Sequence, residues 1–403
     1  MNISILSIGD ELLAGDTINT NSSWISRKST QIGCNVSRQI TCKDQKEDIF
    51  QALNYLNESQ PEYIVITGGL GPTDDDITRK TLFEYFKVKE IFDEDYWQKL
   101  KRRFRKLGIE IVESNKSQAI KPSMGETIAN PIGSARGYSF LKSNTNYFSL
   151  PGVPYEMKSM MTQTILPQFE KNIKSPIFRK IIRTTGVVES SLAENISKIT
   201  KTKHECKVGY YPSLHGVDIR ISSTSVKKVD HLFIALKNFL GDTTYTDKKI
   251  NMEEIIVKNL SRLRKTIATA ESCTGGLIGD RITNVPGASE VFKGGVITYS
   301  NRSKQEILGV ASDLLKKYGA VSEKVAMKMS YSVMKKFNSD YGLSVTGIAG
   351  PDGGSIEKPV GTVFISLSNQ ETTKVEKFMF GKDREKNKIK TSQAALNMLR
   401  ISL

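Results

Sequence analysis

Short apolar runs that close on glycine recur along this chain, and residues at helical spacing follow them. Ile3 to Ile8 closes on Gly9, and Tyr63 to Thr67 closes on Gly68 and Gly69. Between them, Asn19 to Ile32 sets Trp24, Ile25 and Ile32 on one helical side, Asn35 to Thr41 reads as a strand and Ile49 to Leu56 as a helix. Tyr147 to Leu150 is a further strand, closed by Pro151-Gly152-Val153-Pro154 and followed by a helix from Glu156 to Phe169. Strand and helix alternating in this way predict a parallel sheet with crossover helices. The carboxyl ends of such strands share one edge, and ligands bind there.

The middle of the chain differs. A strand (Phe178 to Thr185), a helix (Ser190 to Ile199), two strands (Cys206 to Tyr211, Val217 to Ser222) and a helix (Val229 to Leu240) predict a small α+β unit. From Met252 the alternation returns. A helix (Glu253 to Leu263), a strand (Thr266 to Ala270) and a helix from Leu277 are followed by strands at Val291 to Tyr299, Tyr341 to Thr346, Thr362 to Leu367 and Thr373 to Phe380. Helices Ser322 to Phe337 and Glu385 to Leu399 complete the segment. At roughly 100–200 residues per domain, two to four domains are expected. The boundaries are drawn at 1–170, 171–246 and 251–403, all within an α/β class.

Composition narrows the function. The 403 residues are 38% hydrophobic and 25% charged, an ordinary globular balance. No apolar run approaches the roughly 20 residues that span a bilayer. The stretch MNISILSIGDELL has no basic n-region, so a cytoplasmic protein without a membrane partner is expected. Cys34, Cys42, Cys206 and Cys273 lack CxxC spacing, which fits a reducing compartment and argues against a thiolate metal site. The net charge of +15 admits nucleic acid. However, the basic runs at Lys101 to Lys106 and Lys382 to Lys390 read as solvated helix faces, and no basic residues interleave with aromatics as a stacking groove requires. The histidines His204, His215 and His231 all sit mid-chain. A Ser-His-Asp triad in the last segment would need one to cross a domain boundary. Any metal in either end segment is expected on oxygen ligands, which suits magnesium, manganese or potassium.

The last segment carries the sharpest chemistry. ESCTGG (Glu271 to Gly276) sits where a strand turns into a helix, a junction that exposes backbone N–H groups and the positive helix end to a developing negative charge. Ser272 is the candidate nucleophile and Cys273 its rival, with Cys273 read instead as a small buried residue. In TYSNRSK, Ser300 or Asn301 caps a helix and Lys304 falls in its first turn, near Tyr299. Without histidine, lysine is the general base left for a serine, provided desolvation lowers its pKa by several units. Tyr299 would relay the proton or orient the amine. TGIAGPDGG (Thr346 to Gly354) reads as a flexible loop with free N–H groups, fit either for a phosphate or for a simple turn.

In the first segment, TGGLGPTDDDIT (Thr67 to Thr78) joins strand to helix, with Gly68, Gly69 and Gly71 open to ligand approach. Asp74, Asp75 and Asp76 would repel a phosphate, so a bridging cation is expected. Asp10 and Glu11, at the end of the first strand, are expected to meet that loop.

GDELLAGDTINTNS (Gly9 to Ser22), TGGLGPTDDDIT and LPGVPYEM (Leu150 to Met157) resemble the molybdopterin-binding-like domain of the competence/damage-inducible protein A (CinA) family. The resemblance implies metal-dependent hydrolysis of ADP-ribose at its pyrophosphate. Asp10, Glu11, Asp75 and Asp76 would be metal or water-positioning residues, and Gly68, Gly69, Gly71 and Thr73 phosphate contacts. The implied metal is magnesium, manganese or cobalt, with potassium. Arg136 in Gly133-Ser134-Ala135-Arg136-Gly137 replaces a small residue of the family's turn, an exchange expected to bear on ligand choice. The middle segment is similar to the family's KH-like unit but lacks the GxxG loop of an RNA clamp, so it reads as a spacer or docking module. ESCTGG, YSNRSK, TGIAGPDGG and KPVGTV resemble the family's nicotinamide-nucleotide amidase domain, which converts nicotinamide mononucleotide (NMN) to nicotinic acid mononucleotide and ammonia. That resemblance implies Ser272 as nucleophile, activated by Lys304 and Tyr299. It places Glu271, Cys273, Thr274, Gly275, Gly347, Ala349 and Gly350 at the substrate, with no metal required. It also implies a homodimer. The rival readings are a pterin- or nucleotide-binding protein without turnover and a competence-related nucleic-acid binder.

Overall fold

The computed structural model describes residues 1–73, 75–200 and 205–403, so Asp74 and His204 lie outside the described residues. The chain divides into two compact units, Met1–Arg179 and Lys180–Leu403.

The first unit is built on strands β1 (Asn2–Ile8), β2 (Asn35–Cys42), β3 (Tyr63–Thr67), β4 (Glu90–Phe92), β5 (Ile120–Pro122), β6 (Glu126–Ile128), β7 (Gly137–Lys142) and β8 (Thr145–Leu150). Six form one sheet in the order β2-β1-β3-β8-β7-β6. The first four pair in parallel as expected, but β7 and β6 add on antiparallel. The cause is a two-residue hairpin turn. Ser143 and Asn144 both take positive φ, 49° and 67°, which returns the chain directly from β7 into β8. From Ile3 to Ile8, β1 is 2% exposed or less, because helices cover both faces and both alternating side-chain sets are buried. Ile3 and Ile5 join one core, with Val65 and Phe148; Leu6 and Ile8 join the other, with Ile64 and Ile66. The chain leaves β1 for β2 on one side and then for β3 on the other, so the strand order reverses at β1.

The second unit begins with β9 (Phe178–Thr184), β10 (Lys207–Ser213), β11 (Gly216–Ser223) and β12 (Thr244–Thr246), ordered β10-β11-β9-β12. Helices Glu189–Thr200 and Val226–Leu240 accompany this sheet. A second sheet holds β13 (Ile267–Glu271), β14 (Phe292–Ile297), β15 (Tyr341–Gly347), β16 (Thr362–Ser368) and β17 (Thr373–Met379), ordered β14-β13-β15-β16-β17. β14, β13 and β15 are parallel; β16 and β17 are antiparallel. The strand expected from Val291 to Tyr299 is shorter, because a one-turn helix, Ala288–Val291, precedes it and the chain leaves the ladder after Ile297. Helices Met252–Leu263 and Arg384–Ser402 contribute to one core, and helix Glu323–Lys336 to another with Ala268 and Ala270 of β13. β13 lies between β14 and β15, so the order reverses here as well. Crevices beyond strand ends at such reversals are where open α/β sheets hold ligands. Among the described residues, no helix is long and apolar enough to cross a membrane.

Candidate active site

Glu271, the last residue of β13, pairs with Ile297, the last of β14. The residues just beyond stay locked: the Ser272 amide donates to Val345 O at 3.0 Å, and the Thr298 amide donates to Glu271 O at 2.8 Å. Ser300 then caps helix Asn301–Leu308, its hydroxyl accepting the Ser303 amide at 3.0 Å. This cap puts Lys304 in the first turn, directed inward. Lys304 is 1% exposed, with Nζ 3.0 Å from Ser272 Oγ and 2.7 Å from the Thr298 carbonyl. Among the described residues no carboxylate offsets its charge, and burial pulls its pKa from 10.5 down to about 8. An amine near that value is largely deprotonated in mildly alkaline solution and accepts a proton from a hydroxyl that touches it.

Glu271 is 1% exposed and faces its own turn. Its carboxylate accepts the Thr274 hydroxyl (2.7 Å) and the amides of Gly276 (3.0 Å), Ile278 (3.1 Å) and Gly279 (2.8 Å). Two expectations change. Glu271 spends its oxygens on the turn rather than on a substrate, and the amides at the start of helix Leu277–Thr283 are already satisfied. The free amides of the turn are those of Cys273 and Thr274, for which no hydrogen bond to another residue is found among the described residues. The Cys273 side chain lies in the hydrophobic core, and burial pushes its thiol up to about 12, far from a reactive thiolate. Gly275 and Gly276 take φ of 63° and 98°, the left-handed bend that brings the chain from Ser272 into the helix.

Tyr299 is directed elsewhere. It is more than half exposed, and its hydroxyl accepts from Arg384 Nη2 at 2.6 Å rather than bonding Lys304 or Ser272. The lysine is oriented instead by the Thr298 carbonyl, a group that sequence reasoning missed. The loop after β15 is fastened rather than flexible. Asn387 Nδ2 donates to Ala349 O (2.9 Å), Arg384 Nη1 donates to Gly350 O (2.9 Å), and the Ile348 amide donates to Thr362 O (2.9 Å). Gly347 is packed against Val363, where a side-chain carbon would meet Cγ2 at 2.6 Å. Arg384 and Lys388 lie one turn apart on the final helix, and Lys388 Nζ is 3.8 Å from where a side chain at Gly275 would begin. Their i,i+4 spacing within Lys382 to Lys390 was the available signal.

In the first unit, a cavity of about 250 Å³ opens at the carboxyl ends of β1 and β3. Glu11, Asp75, Asp76, Gly68 and Gly69 line it; Asp10, Gly71 and Thr73 do not. The Asp10 amide donates to Asp44 Oδ2 at 3.1 Å, and the Thr73 amide donates to Asp76 Oδ2 at 3.1 Å. Gly68, with φ 116°, is required by packing, since a side-chain carbon there would fall 2.0 Å from Ile8 O. Asp44 also lines the cavity, and burial, joined by the charges of Asp10, Glu11 and Asp76, raises its pKa. The described lining has four carboxylates and no lysine, arginine or histidine. Among the described residues no three carboxylate, histidine or cysteine groups form a ready-made metal cage. Arg136 takes no part. It is 5% exposed, paired with Asp93 at 2.6 Å and stacked 3.9 Å from the Tyr96 ring centre, so its cation is spent inside the fold and does not reach the cavity lining.

Each of the two compact α/β units carries a site at its strand ends. Three family models match the chain: the probable molybdopterin binding domain matches residues 4–171, the damage-inducible protein CinA KH domain 179–246 and the CinA C-terminal domain 249–403. A CinA-like protein of Geotalea daltonii is 36% identical over 410 residues, covering 100% of this chain and 99% of its own. Another, from Flavobacterium psychrophilum, is 38% identical over 412 residues, covering 99% and 98%. The chain belongs to the CinA, competence/damage-inducible, family. The crystal structure of competence/damage inducible protein CihA from Agrobacterium tumefaciens is 36% identical, covering 37% of this chain and 93% of that one at a TM-score of 0.36.

Proposed function

We propose that the second unit is an amidase that hydrolyses the carboxamide of NMN. The reading is supported above all by the buried Ser272–Lys304 pair at a strand-order reversal, with an amine whose pKa is drawn toward neutrality by burial. Ser272 Oγ attacks the carboxamide carbon while neutral Lys304 takes the hydroxyl proton. The oxyanion lies against the amides of Cys273 and Thr274. The C–N bond breaks, Lys304 returns its proton to the departing nitrogen, and ammonia leaves. Water then attacks the ester carbonyl with Lys304 again as base, releasing the acid and restoring Ser272. Arg384 and Lys388, beside the turn, suit the phosphate of a mononucleotide. Ammonia release from NMN by the full chain tests this; equal release, or none, from wild type and Ser272→Ala overturns it.

For the first unit we propose metal-assisted hydrolysis of ADP-ribose at the pyrophosphate. The acidic lining, which among the described residues holds no cationic side chain, supports a bound divalent cation, and the buried Asn21 Oδ1, without a partner among the described residues, fits the same need. Such an ion, when bound, polarises a phosphoryl oxygen and acidifies a water. Glu11, Asp75 and Asp76 would orient that water, and the glycine turn would admit the phosphates. AMP release from ADP-ribose that requires added Mn2+ and is lost in Asp75→Ala supports this. Release without metal, or none with it, contradicts it.

A further inference from the structure

The first unit's cavity carries two oxygen groups that stand apart from the acidic motifs. Asn21, in the first turn of helix Thr20–Gln31, is 8% exposed. Its Nδ2 donates to Gly152 O at 2.7 Å and to Thr67 Oγ1 at 3.1 Å. A main-chain carbonyl only accepts, so this pairing fixes which end of the amide is nitrogen. The Thr67 hydroxyl gives its own hydrogen to Pro151 O at 3.0 Å, so it too must accept from Asn21. Both amide hydrogens are thus committed, and Oδ1 of this lining residue is left buried without a partner among the described residues. A buried acceptor of this kind is completed by an ordered water or by a bound ligand.

Asp44 follows β2 at the same sheet edge. Its Oδ2 holds the Asp10 amide, and its Oδ1 is turned to the glycine bend, 3.2 Å from where a side chain at Gly69 would begin. The donor set is therefore oxygen throughout and negative in sum, with no protein cation among the described lining. Magnesium-type ions need no cage of three carboxylates. They take one or two, keep waters and add phosphate oxygens from the ligand.

We propose that Asp44 and Asn21 bind the cation of this cavity, Asp44 through its carboxylate and Asn21 through its neutral amide oxygen. This deepens the cation reading of the preceding subsection and rests on it, but not on the hydrolysis of any particular nucleotide.

The test is Mn2+ binding to the full chain, read from the loss of the free-ion electron paramagnetic resonance signal, with no nucleotide present. Asp44→Asn keeps an acceptor for the Asp10 amide while losing the charge, and its affinity is expected to fall at least about tenfold. Asn21→Leu, checked for folding by thermal melting, is expected to lose a similar factor; should it fail to fold, Asp44→Asn decides. Affinity of Asp44→Asn within about twofold of wild type overturns the proposal, as does wild type that leaves millimolar-range Mn2+ free. Wild type that binds Mn2+ yet releases no AMP defeats the hydrolysis reading alone. Metal-dependent AMP release with unaltered Asp44→Asn binding defeats this inference alone.

Discussion

The Thr298 carbonyl, 2.7 Å from Lys304 Nζ, determines what the lysine can do to Ser272. A carbonyl oxygen only accepts, so the amine must spend an N–H on it. The lone pair of a neutral amine is then free for the Ser272 hydroxyl, 3.0 Å away on the same nitrogen. A backbone group thus takes the orienting role that a tyrosine side chain was expected to fill.

The rate of amide hydrolysis should follow one deprotonation at about 8, the value to which burial draws Lys304. Activity needs the neutral amine, so kcat/KM falls about tenfold for each pH unit below that value and levels off above it. A steady-state pH profile with NMN checks this. A flat profile between pH 6 and 9 would speak against lysine as base.

Holding Lys304 buried weakens the fold at neutral pH. Its folded pKa is lowered, so between about 8 and 10.5 the unfolded chain binds more protons and stability rises with pH. The penalty below that window is on the order of 3 kcal/mol. Lys304→Met lifts it, offset by roughly 1–2 kcal/mol for the Thr298 carbonyl left without its donor. The variant should release no ammonia, yet melt higher than wild type near pH 7 and lower than wild type near pH 10.5, where only the loss of the Thr298 carbonyl's donor remains. Calorimetry at the two pH values decides.

Glu271 should matter through the turn. Its carboxylate gathers four donors in a buried site, so Glu271→Ala should destabilise by about 3 kcal/mol or more and abolish ammonia release together. Glu271→Gln keeps one acceptor oxygen and should retain part of both. Denaturant unfolding run beside the activity assay separates the variants; full stability in Glu271→Ala would refute this role.

Cys273 should be dispensable for the chemistry. With its thiol buried in the core, Cys273→Ala should keep most activity and lose roughly 1–2 kcal/mol of stability. Iodoacetamide should label the native protein at this position only after denaturation. Native labelling accompanied by inactivation would make Cys273 the nucleophile.

Tyr299→Phe should leave the pH profile unmoved. The hydroxyl bonds Arg384, so its loss should raise KM for NMN through a less fixed Arg384 and spare kcat. A displaced pKa in this variant would place Tyr299 beside the base after all.

The pairing of Ser272 with Lys304 was legible because both stand at strand-to-helix turns with local signals, the glycines of ESCTGG and the Ser300 cap. The parallel strands were legible for a related reason: β1 and β3 are buried on both faces and carry apolar residues on both alternating sides, with only the small Ser4 and Ser7 between them in β1. Other features depend on partners far along the chain. Asn21 meets Gly152 across 131 positions, and nothing in its own neighbourhood marks it as buried. The Thr298 carbonyl has no letter of its own. Tyr299 adjoins Thr298 but stands out from the sheet toward Arg384, a direction set by the final helix. The β7–β8 hairpin turns on Ser143 and Asn144, without the glycine that usually announces such a bend.

The most direct measurement is rapid acid quench of the full chain mixed with NMN, followed by mass spectrometry of the peptides that carry Ser272 and Cys273. A transient nicotinoyl-mononucleotide ester on Ser272 is expected, absent in Ser272→Ala and too scarce to detect in Lys304→Met. Ammonia release from a protein that carries no ester at Ser272, or carries the adduct on Cys273, would contradict it.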